Sequence, residues 1–229
     1  MFFRERSTQV EYLDAPDRPV DETVAAFNDL DRINRFFRFS HAFESRLPGW
    51  LGEERCKRME ILDVGAGTGL LGKTLSAWAR ERGWDWRFTN LDVNPVALKS
   101  ADATSNIVGS ALQLPFPESS FDLVVASQMT HHLTDAEVVQ HWREAWRVTR
   151  DAIFICDVHR NVGLYTMLWL VMLVLRVERK LREDGLISVK RGFRLDEWRA
   201  LAARADILDA QVWLYYGTRI VLQGRKGTR

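Results

Sequence analysis

"EILDVGAGTGLLGKT", residues 60–74, supports three nucleotide registers at once. Gly65, Gly67 and Gly69 give the G-x-G-x-G turn of an S-adenosylmethionine (SAM) site. Gly67, Gly69 and Gly72 give the G-x-G-x-x-G of a dinucleotide fold. Residues 67–74 fit G-x-x-x-x-G-K-T, the phosphate loop of a nucleoside triphosphatase. The second and third registers make Asp63, Val64, Gly65 and Ala66 the end of a buried strand, where a charge and a glycine fit poorly. In the first, the strand is "EIL", Asp63 stands at its carboxyl edge and Gly65 opens the turn. Ligands of such sheets bind at that edge, so a carboxylate has a purpose there.

Working outward, strand and helix alternate. The glycine turn leads into a helix through Leu70, Leu71, Leu75 and Trp78; "WRFTNLDV" is a second strand, "NPVALKSA" starts a helix, and "SNIVGS" is a third strand. "FDLVVAS" is continuously apolar, as a central strand covered on both faces should be. Thr134 and Glu137 form a capping box ahead of a helix burying Val138, Val139, Trp142 and Trp146, with His141 on its surface; "AIFICD" is the fifth strand. After a helix at "LDEWRALAARA", the segment "DAQVWLYYGTRIVLQG" reads as two strands joined through Gly217, a connection short enough only for antiparallel neighbours. The expectation is a doubly wound α/β fold: a mostly parallel, seven-stranded, Rossmann-like sheet with a C-terminal antiparallel hairpin. Ahead of it, residues 1–57 read as a polar arm with Pro16 and Pro19 and a helical cap. That cap has Asp21 as N-cap, apolar positions Val24, Phe27, Leu30 and Ile33, a stop at Pro48–Gly49 and a charged connector over residues 53–58. Residues 58–229 form the main domain, with an apolar helical insertion at about 160–185.

The chain has 229 residues, 32 basic against 31 acidic, for a formal charge of +1. Without a basic excess, nucleic-acid binding is not expected. Cys56 and Cys156 are far apart, form no C-x-x-C pair and read as reduced, buried thiols of a cytoplasmic protein. Early charges in "MFFRERSTQVEYLDAPDRP" do not suit a signal peptide. Neither Cys/His spacing nor a carboxylate cluster suggests a metal.

Asp92, closing "FTNLDV", sits where an acid accepts from both ribose hydroxyls of an adenosine, which argues against a phosphate loop. The terminal hairpin argues against a dinucleotide domain, which continues with a sixth parallel strand. Asp157, closing "AIFICD", is the one point in favour of a phosphate-loop protein, as a Walker B acid.

"ILDVGAGTGLLG", "LDVNP" and "GSALQLPFPESSFDLVVAS" resemble motif I, the acidic loop and the LPF segment of class I SAM-dependent methyltransferases, in the small-molecule branch with the ubiquinone and menaquinone enzymes. The resemblance covers roughly residues 58–158. "LDRINRFFR" and "DVHRN…SVKRGFRLDEWRALAARA" are similar to a bacterial subgroup found with polyketide pathways. The resemblance implies SAM as cofactor, its methionine part held by Asp63, Gly65, Gly67 and Gly69, its ribose by Asp92 and its adenine against Val93. Where the family often has an acid in "GDA", this chain has Ser110, assisted by Ala111 and Leu112. At the end of the fourth strand, Ser127 stands where other branches carry an Asn/Asp-Pro-Pro loop or a metal-binding aspartate, so a small-molecule acceptor and no metal are implied.

Methyl transfer to a hydroxyl requires loss of a proton from a group titrating near 10, so a nearby base helps by about 10²–10⁴-fold. His131, His132 and His159 follow strand ends at the ligand edge, with His41 and His141 less favoured. The resemblance, whose members often carry a His-Leu pair at His132, makes His132 the first candidate and His159 the second. The expectation is an O-methyltransferase acting on a small hydrophobic, quinone- or polyketide-like acceptor. C-methylation, a phosphate-loop kinase or switch, and a SAM-binding protein without turnover stay open. "VGLYTMLWLVMLVL", residues 162–175, is uncharged and too short to span a membrane, which needs about 20 such residues. It reads either as a core helix or as the greasy wall of an acceptor pocket. In the second reading residues 160–182, with basic flanks at Arg160, Arg176, Arg179, Lys180 and Arg182, make peripheral contact with the inner membrane face.

Overall fold

The computed structural model describes residues 3–14, 19–99, 105–207 and 209–227. The N-terminal part holds a 3₁₀ turn (Tyr12–Asp14), α1 (Val20–Phe36), α2 (His41–Leu51) and α3 (Glu53–Cys56). The alternating part runs β1 (Arg58–Val64), α4 (Leu70–Arg80), β2 (Asp85–Asp92), α5 (Pro95–Leu98), β3 (Ser105–Val108) and β4 (Phe121–Ser127). A 3₁₀ turn (Thr130–His132), α6 (Asp135–Val148) and β5 (Thr149–Val158) follow. The chain finishes with α7 (Val162–Val174), α8 (Arg179–Arg191), α9 (Leu195–Ala205), β6 (Gln211–Tyr215) and β7 (Arg219–Arg225).

These strands form one sheet in the order β3-β2-β1-β4-β5-β7-β6. The first five are parallel, and β7 runs antiparallel to both β5 and β6, turning back through Gly217 at φ 69°. The reversed β7 between β5 and β6 is the feature that a dinucleotide domain lacks. One face of the sheet buries Leu62, Val124, Trp142 and Trp198, and the other buries Phe43, Leu47, Ile61, Leu75 and Phe154. α2 thus contributes directly to the second core layer.

Several boundaries differ from the sequence reading. β1 extends to Val64, so Asp63 and Val64 lie inside the strand, with Asp63 paired to Asn90 on one side and Val125 on the other. A strand end that points at a ligand tolerates a carboxylate inside the ladder, because the backbone pairing does not involve the side chain. α1 starts at Val20 after Pro19, with no side-chain cap; Asp21 lies in its first turn, where a negative charge suits the helix dipole. Pro48 and Gly49 do not end α2. They fall in its last turns, and the helix continues until Leu51 is buried and Gly52, at φ 90°, stops it. The charged connector is α3, whose Cys56 carbonyl accepts from Trp86 Nε1 at 2.6 Å. Continuation of α5 through Ala101, and the placing of Pro16, fall outside the described residues.

α7 is not a core helix. Only Met172 on it is buried, while Trp169, Leu170, Leu173 and Val174 are exposed. Its inner side meets α8 where Leu168 and Met172 approach Gly185. Of its expected basic flanks, Arg160 is 2% exposed and is taken up by Glu197 at 2.5 Å and by the carbonyls of Phe3, Arg4 and Gly192. Arg176, Arg179 and Lys180 are exposed. Among the described residues no helix is long and apolar enough to cross a membrane.

Candidate active site

The turn after β1 is shaped by three glycines in left-handed conformations: Gly65 (φ 69°), Gly67 (φ 55°) and Gly69 (φ 71°). A Cβ on Gly65 would lie 2.3 Å from Met129 Cγ, so the residue must be glycine on both counts. Gly72 has a different role. It sits inside α4 facing Phe88, where a Cβ would lie 3.0 Å from the ring, and it sets the helix against β2. Because α4 begins at Leu70, residues 70–74 are helix rather than phosphate cradle, and Asp157 is taken up by the amide and ring of His131. The phosphate-loop register fails.

Asp63 is 1% exposed and its Oδ2 has no hydrogen-bond partner among the described residues. Burial, and then the charge of Asp92, push its pKa up to about 8. A buried carboxylate without a partner is costly, and it is explained by a cationic ligand that donates to it. Asp92 Oδ2 accepts from the Gly67 amide at 2.7 Å and Oδ1 from Asn94 at 2.8 Å, which fixes the carboxylate at the end of β2 with lone pairs to spare. Val93 is 76% exposed, available as a flat apolar surface. Ser110 Oγ accepts from the Leu112 amide at 3.1 Å, and Ser127 stands half-buried at the end of β4. The Ala111 carbonyl lies 3.4 Å from His141 Nδ1. His141 is fully buried, contrary to its expected surface position, and burial lowers its pKa to about 4. An orphan carboxylate, a glycine turn and a second anchored carboxylate fit the ammonium, backbone and ribose of SAM.

The sequence reading missed the roof of this site. α1 lies over the glycine turn: Asp31 accepts from Thr68 Oγ1 at 2.9 Å, Asn34 Oδ1 accepts from Gln128 Nε2 at 3.1 Å, and Phe27 is 3.9 Å from the Cβ position of Gly67. Phe27, Asp31 and Asn34 share one helical face, a spacing signal present in the sequence but read only for its apolar members.

The two histidines after β4 are held differently from each other. His131 is 3% exposed; its Nδ1 lies 2.7 Å from Asp157 Oδ1, and its amide donates to Asp157 Oδ2 at 2.9 Å. Its Nε2 is 3.5 Å from Glu11 Oε1. Burial opposes the imidazolium, but Asp157 and Glu11 outweigh it and raise the pKa to about 10. His132, the expected base, has Nδ1 2.9 Å from Asp14 Oδ2 and Nε2 4.0 Å from Glu11 Oε2. Asp14 is held down at about 2, because His132 and Arg191 overcome the effect of burial. His159 Nδ1 lies 2.9 Å from the Gly217 carbonyl and 3.0 Å from Asn161 Nδ2, so it is tied to the β6–β7 turn. The structure therefore joins His132 to His131, Glu11, Asp14 and Asp157, and places His159 in a separate group. Glu11 and Asp14 come from the N-terminal arm, and no local motif marks them.

The comparisons agree with this geometry. A family model described as "Methyltransferase domain" matches residues 62–156. A ubiquinone/menaquinone biosynthesis C-methyltransferase UbiE from Rickettsia akari is 33% identical over 107 residues, 42% of each chain. A demethylmenaquinone methyltransferase from a Roseiflexus species is 32% identical over 92 residues, 39% of this chain and 37% of that enzyme; the chain thus spans about two fifths of the curated relatives it matches. The fold is shared with the plantazolicin methyltransferase BpumL in complex with SAH (TM-score 0.68, 12% identity, 90% of this chain and 91% of that one). Residues 62–156 thus match a methyltransferase domain and carry the glycine turn and both carboxylates, and the reversed β7 that follows them completes the fold shared with BpumL.

Proposed function

We propose that the whole chain transfers a methyl group from SAM to a hydroxyl of a small hydrophobic acceptor, aromatic or quinone-like. The observation carrying this reading is the imidazole–carboxylate cluster next to the glycine turn: Met129 packs on Gly65, and His131 and His132 follow two and three residues later. Asp63, Gly65, Gly67, Gly69 and Asp92 would hold the cofactor, which supplies a sulfonium methyl for in-line displacement. α1 excludes water over that turn, and positioning supplies much of the rate. A hydroxyl acceptor has to lose its proton, and His132, oriented through Nδ1 by Asp14, is the group placed to assist. Methylation at carbon would not need that help. C-methylation is therefore the second reading, favoured by the similarity to the UbiE enzyme named above.

The exposed apolar side of α7 supports an acceptor with an apolar tail and contact with an anionic membrane face, through Trp169, Leu170 and Leu173 beside Arg176, Arg179 and Lys180. The test is methyl-labelled SAM with phenols and hydroquinones carrying short and long alkyl tails, with the methylated atom located by mass spectrometry. The reading expects O-methyl products and a His132→Ala variant with turnover reduced about 100-fold at unchanged SAM affinity. It also expects Leu170→Ser with Leu173→Ser to reduce liposome co-sedimentation and activity on long-tailed acceptors only. Products methylated at carbon, with full activity in His132→Ala, overturn the hydroxyl assignment. Equal losses on short and long tails, without liposome binding, overturn the tail and membrane assignment.

A further inference from the structure

We propose that Glu11, His131 and His132 form a binding site for one zinc-class divalent cation. Each residue offers one ligand atom, and the three atoms lie within 4.8 Å of one another. The closest pair, His131 Nε2 and Glu11 Oε1, is 3.5 Å apart. Ligand atoms about 2.0–2.2 Å from a four-coordinate metal lie roughly 3.3–3.6 Å from each other, so this pair already spans one edge of such a tetrahedron. Both atoms are buried, with Glu11 6% and His131 3% exposed, and they face each other as a long ion pair. His132 Nε2 sits 4.0 Å from Glu11 Oε2, and His132 is the more exposed imidazole of the two.

The surroundings point the same way. Metal-bound histidines hand their other ring nitrogen to a carboxylate or carbonyl, which fixes the tautomer and turns the lone pair to the metal. Here both histidines do so through Nδ1, His131 to Asp157 at 2.7 Å and His132 to Asp14 at 2.9 Å, leaving both Nε2 atoms toward Glu11. The charge also balances. Glu11, Asp14 and Asp157 bring three negative charges and Arg191, 2.8 Å from Asp14, returns one, so a charge of −2 faces the cation once it displaces the proton that His131 otherwise holds. Two histidines and one carboxylate leave a position open on the cation, the ligand set of sites that polarise a substrate oxygen.

What the cation would do rests on the methyl-transfer reading above: a hydroxyl acceptor beside it ionises more readily, its proton passing to water. The oxygen lone pair then forms the O–CH₃ bond as the S–CH₃ bond breaks, the electron pair staying on sulfur. With the cation bound, His132 would assist proton loss as the ligand that places the cation; in the metal-free chain it would assist as the base described above.

The experiment is titration of the metal-stripped full chain with Co(II), followed by competition with Zn(II), with SAM affinity measured on the same samples. Expected are one equivalent of Co(II) with d–d bands of a four- or five-coordinate nitrogen–oxygen site, no thiolate charge-transfer band, and displacement by Zn(II). His132→Ala and Glu11→Gln should each weaken Co(II) binding at least tenfold, and Asp157→Asn about tenfold. His159→Ala and His41→Ala should leave it unchanged. No stoichiometric binding by the wild type, or binding that survives His132→Ala and Glu11→Gln, overturns the site and leaves a buried ion cluster in its place. SAM affinity stays intact in that case, so failure of the cation site is distinct from failure of the methyltransferase reading.

Discussion

Replacing Asp63 by Asn should separate the cost of a buried carboxylate from its use. Asp63 has an orphan Oδ2 and a pKa raised from 3.8 to about 8, by burial first and then by Asp92. Between about pH 4 and pH 8 the native chain therefore holds a proton that the unfolded chain has released. With more protons on the native state, stability falls as pH rises through that window, and the whole cost is present above pH 8. Roughly four pH units at about 1.4 kcal/mol each set a ceiling of about 6 kcal/mol. A few kcal/mol is expected in denaturant unfolding, because the effective dielectric of real interiors exceeds that of dry protein. Asp63→Asn should remove this slope and be more stable than wild type at pH 8, yet bind SAM poorly. The SAM ammonium favours the carboxylate, so binding at pH 7 should release about 0.9 proton. Affinity should rise about tenfold per pH unit up to about pH 7.5, where the ligand's own amine starts to lose its charge. Calorimetry in two buffers of different ionisation enthalpy counts the proton. No release by wild type at pH 7, or no gain in stability for Asp63→Asn at pH 8, refutes the reasoning.

Gly65→Ala combines a φ of 69° with a Cβ 2.3 Å from Met129 Cγ, and should cost about 2–4 kcal/mol in chemical unfolding. Adding Met129→Ala should recover only the steric part, since the backbone strain stays. His141 is fully buried with its pKa lowered to about 4 by burial, so the native state resists protonation. Its contribution is complete above about pH 6.5 and is lost as pH falls from there to about 4; His141→Gln should flatten that acid limb, seen by comparing unfolding at pH 5 and pH 7. An unchanged limb would mean that other groups cause it.

The elements that position the cofactor were legible because each carries a local signal. "FDLVVAS" coincides with β4, the Thr134–Glu137 capping box is formed, and Gly217 turns the hairpin. Those signals reflect interactions within a few residues. What stayed hidden depends on distant pairing. Glu11 and Asp14 reach histidines more than 100 positions away, and Asp31 and Asn34 on α1 meet Thr68 and Gln128. Buried and exposed partners also look alike in a pattern of residue types. Thus His141 on an amphipathic helix is buried, Arg160 beside an apolar run is paired with Glu197, and α7, apolar all round, faces solvent. β1 runs two residues beyond "EIL" because a charge such as Asp63 marks a strand end only by residue type. The Asp63 side chain is buried within reach of the Asp92 charge while its backbone stays in the ladder.

The central claim is that the turn from Gly65 to Gly69, with Asp92, binds SAM and that Lys73 takes no part. Calorimetric titration of wild type, Asp92→Ala and Lys73→Ala with SAM and with ATP tests it most directly. The account predicts one SAM site, weakened at least 100-fold by Asp92→Ala, unchanged by Lys73→Ala, and no binding of ATP. Binding of ATP that Lys73→Ala abolishes, with no heat from SAM, would contradict it.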